Sequence, residues 1–188
     1  MTSAERPTAR AHREIAAVLK SGDLAIDATA GNGHDTVFLA GLVGEQGRVI
    51  AFDVQEAAIS ATRARLEAAE LAGRVELFQE SHGHLLNRAG RGMVTAIMFN
   101  LGYFPGGDHA LITRTDETLV ALDQARAALK AGGVLTIVCY PGHPGGDEES
   151  EAVLAWLGTL AAPDFSSEVV RRTETLRPSP FLVVVTRG

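Results

Sequence analysis

The chain alternates short apolar runs with longer amphipathic stretches, the pattern of a sheet whose strands are separated by helices. Five apolar runs predict strands at residues 24–28, 48–53, 75–78, 95–99 and 134–139. Amphipathic stretches with the periodicity of a helix lie before, between and after these strands. They span residues 8–20, 56–71, 85–89 and 115–130; a further one runs from the glycine turn after residue 30 to about residue 43, and the last begins at residue 147. Strands that alternate with helices favour a parallel sheet joined by right-handed crossovers.

The C-terminal tail carries two further strand candidates, at residues 167–172 and 181–186, separated by Arg177-Pro178-Ser179-Pro180. Because this connection is short, the pair is most simply antiparallel. We therefore expect an α/β fold in one domain over residues 1–188, with an N-terminal helix at about 8–20. Its core is a doubly wound, Rossmann-like sheet of seven strands, mostly parallel, with an antiparallel edge strand.

Composition narrows the class of protein. Hydrophobic residues make up 46% of the chain, and its one cysteine, Cys139, excludes an internal disulfide framework. Without a signal peptide or a long apolar span, we expect a cytoplasmic protein with no membrane partner. The net charge of −6 discourages non-specific adhesion to nucleic acid, although a local arginine patch stays open.

The most informative stretch is the glycine-rich turn after the first strand. Gly31 and Gly33 allow backbone conformations and close approaches that a Cβ would block. The third glycine of a dinucleotide fingerprint is replaced by Thr36, and two acids, Asp27 and Asp35, flank the turn. A diphosphate would be repelled by these acids, whereas a cationic nucleoside would be attracted. The turn therefore predicts a site for S-adenosylmethionine.

A second acid of the expected cofactor site follows the second strand. Asp53 lies 20 residues after Gly33, at the tip of the second apolar run. An acid at that spacing accepts hydrogen bonds from the hydroxyl groups of a ribose. We expect Asp53 to bind the ribose of the cofactor.

Candidate catalytic residues follow the fourth strand in a glycine-rich loop. The amide oxygen of Asn100 can accept a hydrogen bond from a substrate amine and direct its lone pair at a methyl donor. Tyr103 can stack on a base or cover a sulfonium. Asp108 or His109 can take the proton that a primary ammonium loses before it attacks. The loop therefore suits methyl transfer to an amine.

Four other histidines, His12, His82, His84 and His143, suit the roles of ligand, base or surface residue to different degrees. His143, in the loop after the fifth strand, suits a base and a turn residue equally well. His12, on the first helix, could reach the mouth of the pocket, but a surface residue is the favoured interpretation. His82 and His84 alternate without the spacing of a metal-binding pair, so no metal site is expected.

Four segments together resemble a known family. They are residues 27–36 (DATAGNGHDT), 51–55 (AFDVQ), 100–108 (NLGYFPGGD) and 140–146 (YPGHPGG). They are similar to class I methyltransferases of the rRNA methylase family, the YtqB or MnmM type, and the similarity extends over nearly the whole chain. Residues 100–103 also resemble the N-P-P-Y motif of amino-group methyltransferases, with Leu101 and Gly102 in place of the prolines.

The resemblance implies a reaction, a partner and cofactor contacts. The reaction is methyl transfer from S-adenosylmethionine to 5-aminomethyluridine at the wobble position of tRNA, which gives 5-methylaminomethyluridine. The expected partner is the anticodon region of tRNA, with a homodimer left open. The cofactor contacts implied by the resemblance are Asn32, Asp53, Gln55, Ser81 and His82.

Three alternatives to this function stay open at the level of sequence. The first is a methyltransferase that acts on rRNA or on a small amine. The second is an NAD-linked oxidoreductase that uses the same ribose-binding Asp53, against which Asp27 and the missing third glycine argue. The third is a binding module without catalysis, which does not account for the polar residues at so many strand ends.

Overall fold

The computed structural model describes residues 5–102, 115–142, 144–171 and 178–188. Within them the chain forms seven strands: β1 Leu24–Asp27, β2 Arg48–Phe52, β3 Val75–Phe78, β4 Val94–Leu101, β5 Leu129–Cys139, β6 Phe165–Val170 and β7 Phe181–Arg187. Six helices accompany them: α1 Pro7–Val18, α2 His34–Val43, α3 Glu56–Ala68, α4 Leu85–Ala89, α5 Thr115–Ala128 and α6 Gly146–Leu157. Short 3₁₀ turns span Ala72–Arg74 and His82–His84.

The strands form one sheet in the order β3-β2-β1-β4-β5-β7-β6. Strands β1 to β5 are parallel, whereas β7 runs antiparallel to both β5 and β6. The strand order reverses between β1 and β4, and ligands of such sheets bind at this crevice, beyond the carboxyl ends of the strands. The expected doubly wound, mostly parallel seven-stranded sheet is confirmed.

The sheet is apolar on both faces, as buried parallel strands require. One face packs against α4, α5 and α6 around Phe52, Ile97 and Phe99. The other face packs against α1, α2 and α3 around Ala96 and Met98. Alternate residues of β4 thus enter opposite cores, so the ends of the central strands are held rigidly.

The elements predicted from the sequence are present, with shifted ends. The prediction of residues 134–139 for the fifth strand is too short, because β5 begins at Leu129, which pairs with Val94 across an irregularity in the ladder. The third helix ends at Ala68 rather than 71, and Glu70 follows with a φ of 57°. In the described part of the chain, no helix combines the length and apolar character needed to cross a membrane.

Candidate functional site

The turn after β1 is held in place by side chains and backbone groups of neighbouring elements. The amide of Gly31 donates to Oδ2 of Asp53 at 2.9 Å. The hydroxyl of Thr62 donates to the Gly31 carbonyl at 3.0 Å, and Nε of Arg65 donates to the carbonyl of Asn32 at 2.7 Å. Three bonds from α3 and the end of β2 therefore fix the loop at the start of α2.

Gly33 shows why the sequence needs glycine in this turn. It caps the N-terminus of α2 with a φ of 79°, a left-handed conformation that side chains disfavour. A Cβ at this position would lie 2.9 Å from Cα of Thr62. Both the conformation and the close approach of α3 therefore exclude a larger residue.

We expect Gly33→Ala to lower the free energy of unfolding by about 1–3 kcal/mol, because it strains the backbone and displaces α3. Since the same turn borders the expected cofactor site, affinity for S-adenosylhomocysteine should fall as well. Urea unfolding and calorimetry measure the two effects. Gly73→Ala is the matched control, because no atom lies within 4 Å of its added Cβ; equal behaviour of the two variants would contradict the account.

Asp53 lies directly after β2, half-buried, with each carboxylate oxygen accepting one backbone hydrogen bond. Oδ2 accepts from Gly31, and Oδ1 accepts from the amide of Gln55 at 2.9 Å. A carboxylate offers about four acceptor positions. Two acceptor positions thus stay available for the hydroxyl groups of a ribose, in a carboxylate whose orientation is already fixed.

Asp27, at the end of β1, is fully buried. Its carboxylate accepts from the Thr29 amide at 3.1 Å and from the Thr36 hydroxyl at 2.6 Å. Burial and then the nearby negative charge of Asp35 raise the pKa of Asp27 from its ordinary 3.8 to about 7, against these two hydrogen bonds. A cation bound nearby would favour the charged form of this carboxylate.

The raised pKa of Asp27 predicts how stability depends on pH. Between about pH 4 and pH 7 the unfolded chain has lost this proton while the native chain retains it, so stability falls as pH rises. Above about pH 7 both states have lost the proton, and the stabilisation that the protonated form of Asp27 gave at low pH is absent. We expect the free energy of unfolding of Asp27→Asn, relative to the wild type, to increase across this range. Urea unfolding at several pH values measures it; a constant difference would contradict the assignment.

His82 offers an unpaired acceptor beside the turn. Its Nδ1 lies 3.1 Å from the carbonyl oxygen of Ala28, which can only accept, so Nδ1 carries the proton. Burial lowers the pKa of His82, which keeps the ring neutral. Its Nε2 is then a bare acceptor, and it is buried without a partner in the part of the chain described. A buried acceptor in this state is available to a donor from a bound ligand or from an ordered water.

Ser81 and α5 fix the position of this histidine. Ser81 caps the 3₁₀ turn by accepting from the Gly83 amide, and its hydroxyl donates to Oε2 of Glu117 at 3.0 Å. The Gln124 side chain donates to the Gly83 carbonyl. The segment after β3 is thereby tied to α5, beside the end of β4.

Asn100 occupies the end of β4 and is constrained at the backbone and at the side chain. Its backbone amide donates to Oγ1 of Thr29 at 2.8 Å, and its Nδ2 donates to Oδ2 of Asp35 at 3.3 Å. The Tyr140 side chain hydrogen bonds with it from the end of β5; burial and then Asp35 raise the pKa of that phenol. These contacts join β1, α2, β4 and β5 in one polar cluster.

The structure brings together most of the residues singled out in the sequence. Direct contacts or shared partners link Asp27, Gly31, Gly33, Asp35, Asp53, Gln55, Asn100, Ser81 and His82 at one edge of the sheet. Asn32 contributes its carbonyl to the bond with Arg65, and its side chain is partly exposed. Tyr103, Asp108, His109 and His143 lie outside the described residues, so their roles stay predictions.

Of the two interpretations of His12, the structure supports the less favoured one, in which it reaches the site, although its side chain is 32% exposed. Its Nε2 lies 2.6 Å from Oδ1 of Asp35, and its ring stacks on Phe38. Thr29, Thr36 and Thr62 were not identified from the sequence, although they hold the turn and Asn100. Threonines are common in every fold, so only their hydrogen bonds reveal this role.

The arrangement fits S-adenosylmethionine. The buried or half-buried acids Asp35 and Asp53, with Asp27 below them, lie at the same edge of the sheet. Such a group of acids suits a cationic ligand, whose charge would also favour the ionised form of Asp27. Asp53 has free acceptor positions for a ribose, and Nε2 of His82 needs a donor such as an exocyclic amine. Within the described residues, no three His, Cys, Asp or Glu side chains are grouped as metal ligands.

Comparison with known proteins agrees with this geometry. The sheet order and the glycine turn define a class I methyltransferase, the class that uses S-adenosylmethionine as methyl donor. Residues 49–186 match the model of the family described as "Putative rRNA methylase". The chain belongs to this family, as its sequence motifs indicated.

Individual relatives extend the similarity over almost the whole chain. The chain is 38% identical to a protein from Clostridium thermocellum described as a "putative rRNA-methylase", with a TM-score of 0.95 over 99% of this chain and 100% of the other. A protein from Streptococcus mutans described as "a putative methyltransferase", solved in complex with SAH, is 35% identical, with a TM-score of 0.90 and coverage of 99% and 100%.

A curated plant protein is also similar. It is "tRNA (mnm(5)s(2)U34)-methyltransferase, chloroplastic" from Arabidopsis thaliana, 40% identical over 172 residues, which are 86% of this chain. The matched region spans 62% of that protein's length.

Proposed function

We propose that this protein transfers a methyl group from S-adenosylmethionine to the amino group of 5-aminomethyluridine at the wobble position of tRNA. The 40% identity with a protein named as a tRNA (mnm(5)s(2)U34)-methyltransferase supports this substrate. The observation that carries the reaction class is the fixed orientation of Asn100 beside a cluster of acids. The negative charge of these acids favours a cationic cofactor over an anionic one.

Three groups of residues are proposed to bind the cofactor. Asp53 accepts hydrogen bonds from the ribose, next to Gln55, whose amide already fixes that carboxylate. Gly31 and Gly33 let the backbone approach the cofactor closely, and Asn32 lies between them in the turn. His82, positioned through Ser81, offers Nε2 to the base. Asp27 acts without direct contact, because its carboxylate is fully buried and engaged by Thr36 and Thr29.

Asn100 is proposed to orient the acceptor amine. Its NH₂ group donates to the carboxylate of Asp35, which leaves the amide oxygen as the accepting end. Because that oxygen has two acceptor positions, it can accept from the amine while Tyr140 hydrogen bonds with the same side chain. The cofactor supplies a methyl group activated by the positive sulfur, and transfer is an in-line displacement in which alignment lowers the barrier. Asn100 thus directs the nitrogen lone pair toward that methyl group.

Proton removal is assigned to the loop after β4. An amine at neutral pH is mostly protonated, and the ammonium must lose a proton before it attacks. Asp108 and His109 stay the predicted acceptors, and Tyr103 the predicted cover of the reacting centre. These three roles rest on residue chemistry and on the family resemblance.

A label-transfer assay tests the proposed function. Purified protein is incubated with S-adenosylmethionine labelled at the methyl group and with tRNA that carries 5-aminomethyluridine. We expect label in the tRNA, recovered as 5-methylaminomethyluridine after digestion to nucleosides. The same tRNA with an unmodified wobble uridine is the matched control and should stay unlabelled.

The alternatives give different outcomes in the same assay. Label in rRNA, or in a small-molecule amine fraction, with none in the tRNA would favour the other substrates of a methyltransferase. Calorimetry that detects NADH binding but no S-adenosylhomocysteine binding would favour the oxidoreductase. Either result would overturn the proposal.

A further inference from the structure

The N-terminal helix α1 contacts Asp35, the hydrogen-bond partner of Asn100, through His12. His12 projects from α1, whose Ala11 and Ile15 are buried against the sheet. Its Nε2 lies 2.6 Å from Oδ1 of Asp35, and its ring is parallel to that of Phe38 at 3.8 Å between centroids. The stack and the hydrogen bond together fix the plane and the direction of the imidazole.

Asp35 connects this histidine to Asn100. Each of its carboxylate oxygens has its own partner: Oδ1 pairs with His12, and Oδ2 accepts from Nδ2 of Asn100. The Asp35 side chain is only 11% exposed, whereas that of His12 is 32% exposed. The carboxylate is therefore a largely desolvated bridge between α1 and the end of β4.

This bridge determines which end of the Asn100 amide is directed at Asp35 and which end points away from it. A carboxylate can only accept hydrogen bonds, so it attracts the NH₂ end and turns the oxygen away. The preference is effective only while the carboxylate itself keeps its orientation. The N–H of His12 supplies that restraint.

We propose that His12 is a positioning residue for methyl transfer, which acts through Asp35 to keep the amide oxygen of Asn100 directed at the acceptor amine. The inference rests on the proposed function and deepens it, because it adds α1 to the site. His12 does not bind the cofactor in this account. Its loss therefore affects turnover and leaves cofactor affinity unchanged.

Two substitutions at His12 separate hydrogen bonding from packing. His12→Leu keeps apolar bulk against Phe38 but removes the donor to Asp35, so we expect kcat to fall about tenfold or more with little change in KM for either substrate. His12→Gln can still donate to the carboxylate, and we expect it to recover most of that loss. His84→Leu is the matched control, since His84 is exposed and pairs only distantly with Glu80 at 3.8 Å.

A second readout does not depend on activity. The side-chain amide signals of Asn100, assigned by their absence in Asn100→Ala, should exchange slowly with solvent in the wild type because Nδ2 is hydrogen bonded. In His12→Leu we expect faster exchange and a shift of both signals, and in His12→Gln values near the wild type. His84→Leu should leave them unchanged.

The outcomes keep the two proposals apart. A wild type that does not methylate the tRNA overturns the proposed function, while the amide signals still decide the role of His12. Unchanged signals and unchanged kcat in His12→Leu overturn the inference even if the wild type is active. Equal losses of kcat in the leucine and glutamine variants, with lowered thermal stability in both, also overturn it, because they assign His12 to packing.

Discussion

In the Asn100→Ala variant we expect kcat to fall about a hundredfold, with affinity for the cofactor little changed. The reason is geometric, because a displacement of about 1 Å at the reacting centre costs about that factor in rate. Alanine removes the oxygen that aligns the amine but keeps the backbone amide that donates to Thr29. Single-turnover label transfer measures the rate, and calorimetry with S-adenosylhomocysteine measures the affinity.

Asn87→Ala is the control for this substitution, because Asn87 is an exposed asparagine on α4, away from Asp35 and Tyr140. It should match the wild type in both measurements. If Asn100→Ala loses rate and affinity to the same extent, Asn100 supports the fold of the site and does not align the amine.

For Asp53→Ala the largest effect is expected on cofactor binding. The substitution removes the proposed acceptor of the ribose hydroxyls and also leaves the amides of Gly31 and Gln55 without their partner. Hydrogen bonds to a charged group contribute about 1.5–3 kcal/mol, which corresponds to a weakening of Kd by about tenfold to a hundredfold. Calorimetry with S-adenosylhomocysteine measures this change.

Glu45→Ala provides the comparison, since Glu45 is an exposed acid in the turn before β2, at the opposite end of the sheet. It should bind as tightly as the wild type. Asp53→Asn separates charge from shape, because an amide retains one acceptor oxygen and should lose less affinity than alanine does. An Asp53→Ala variant with unchanged affinity would remove Asp53 from the site.

The ends of helices and strands could be predicted from the sequence where turn residues directly flank the element. The third strand and the fourth helix have the predicted bounds, Val75–Phe78 and Leu85–Ala89, because turn residues flank short apolar runs. The beginning of β5 was not predictable, since Gly132 and Gly133 signal a break. The strand nevertheless continues through them because Leu129 pairs with Val94 of β4.

Site residues could likewise be predicted where a local sequence signal marks them, and could not where a contact between distant residues defines them. Asp27, Asp53 and Asn100 could be identified because each follows an apolar run in a parallel sheet. For His12 the sequence left a surface residue and a residue at the pocket mouth both open, because its partner Asp35 is 23 residues away and the contact depends on how α1 packs over the sheet. The buried environment that raises the pKa of Asp27 likewise exists only in the folded protein.

A crystal structure of the protein with S-adenosylhomocysteine tests the central claim most directly. The account predicts ribose hydroxyl groups on the carboxylate of Asp53, the base within hydrogen-bond distance of Nε2 of His82, and the sulfur facing the side chain of Asn100. A product molecule bound elsewhere, or with its sulfur directed away from Asn100, would contradict it.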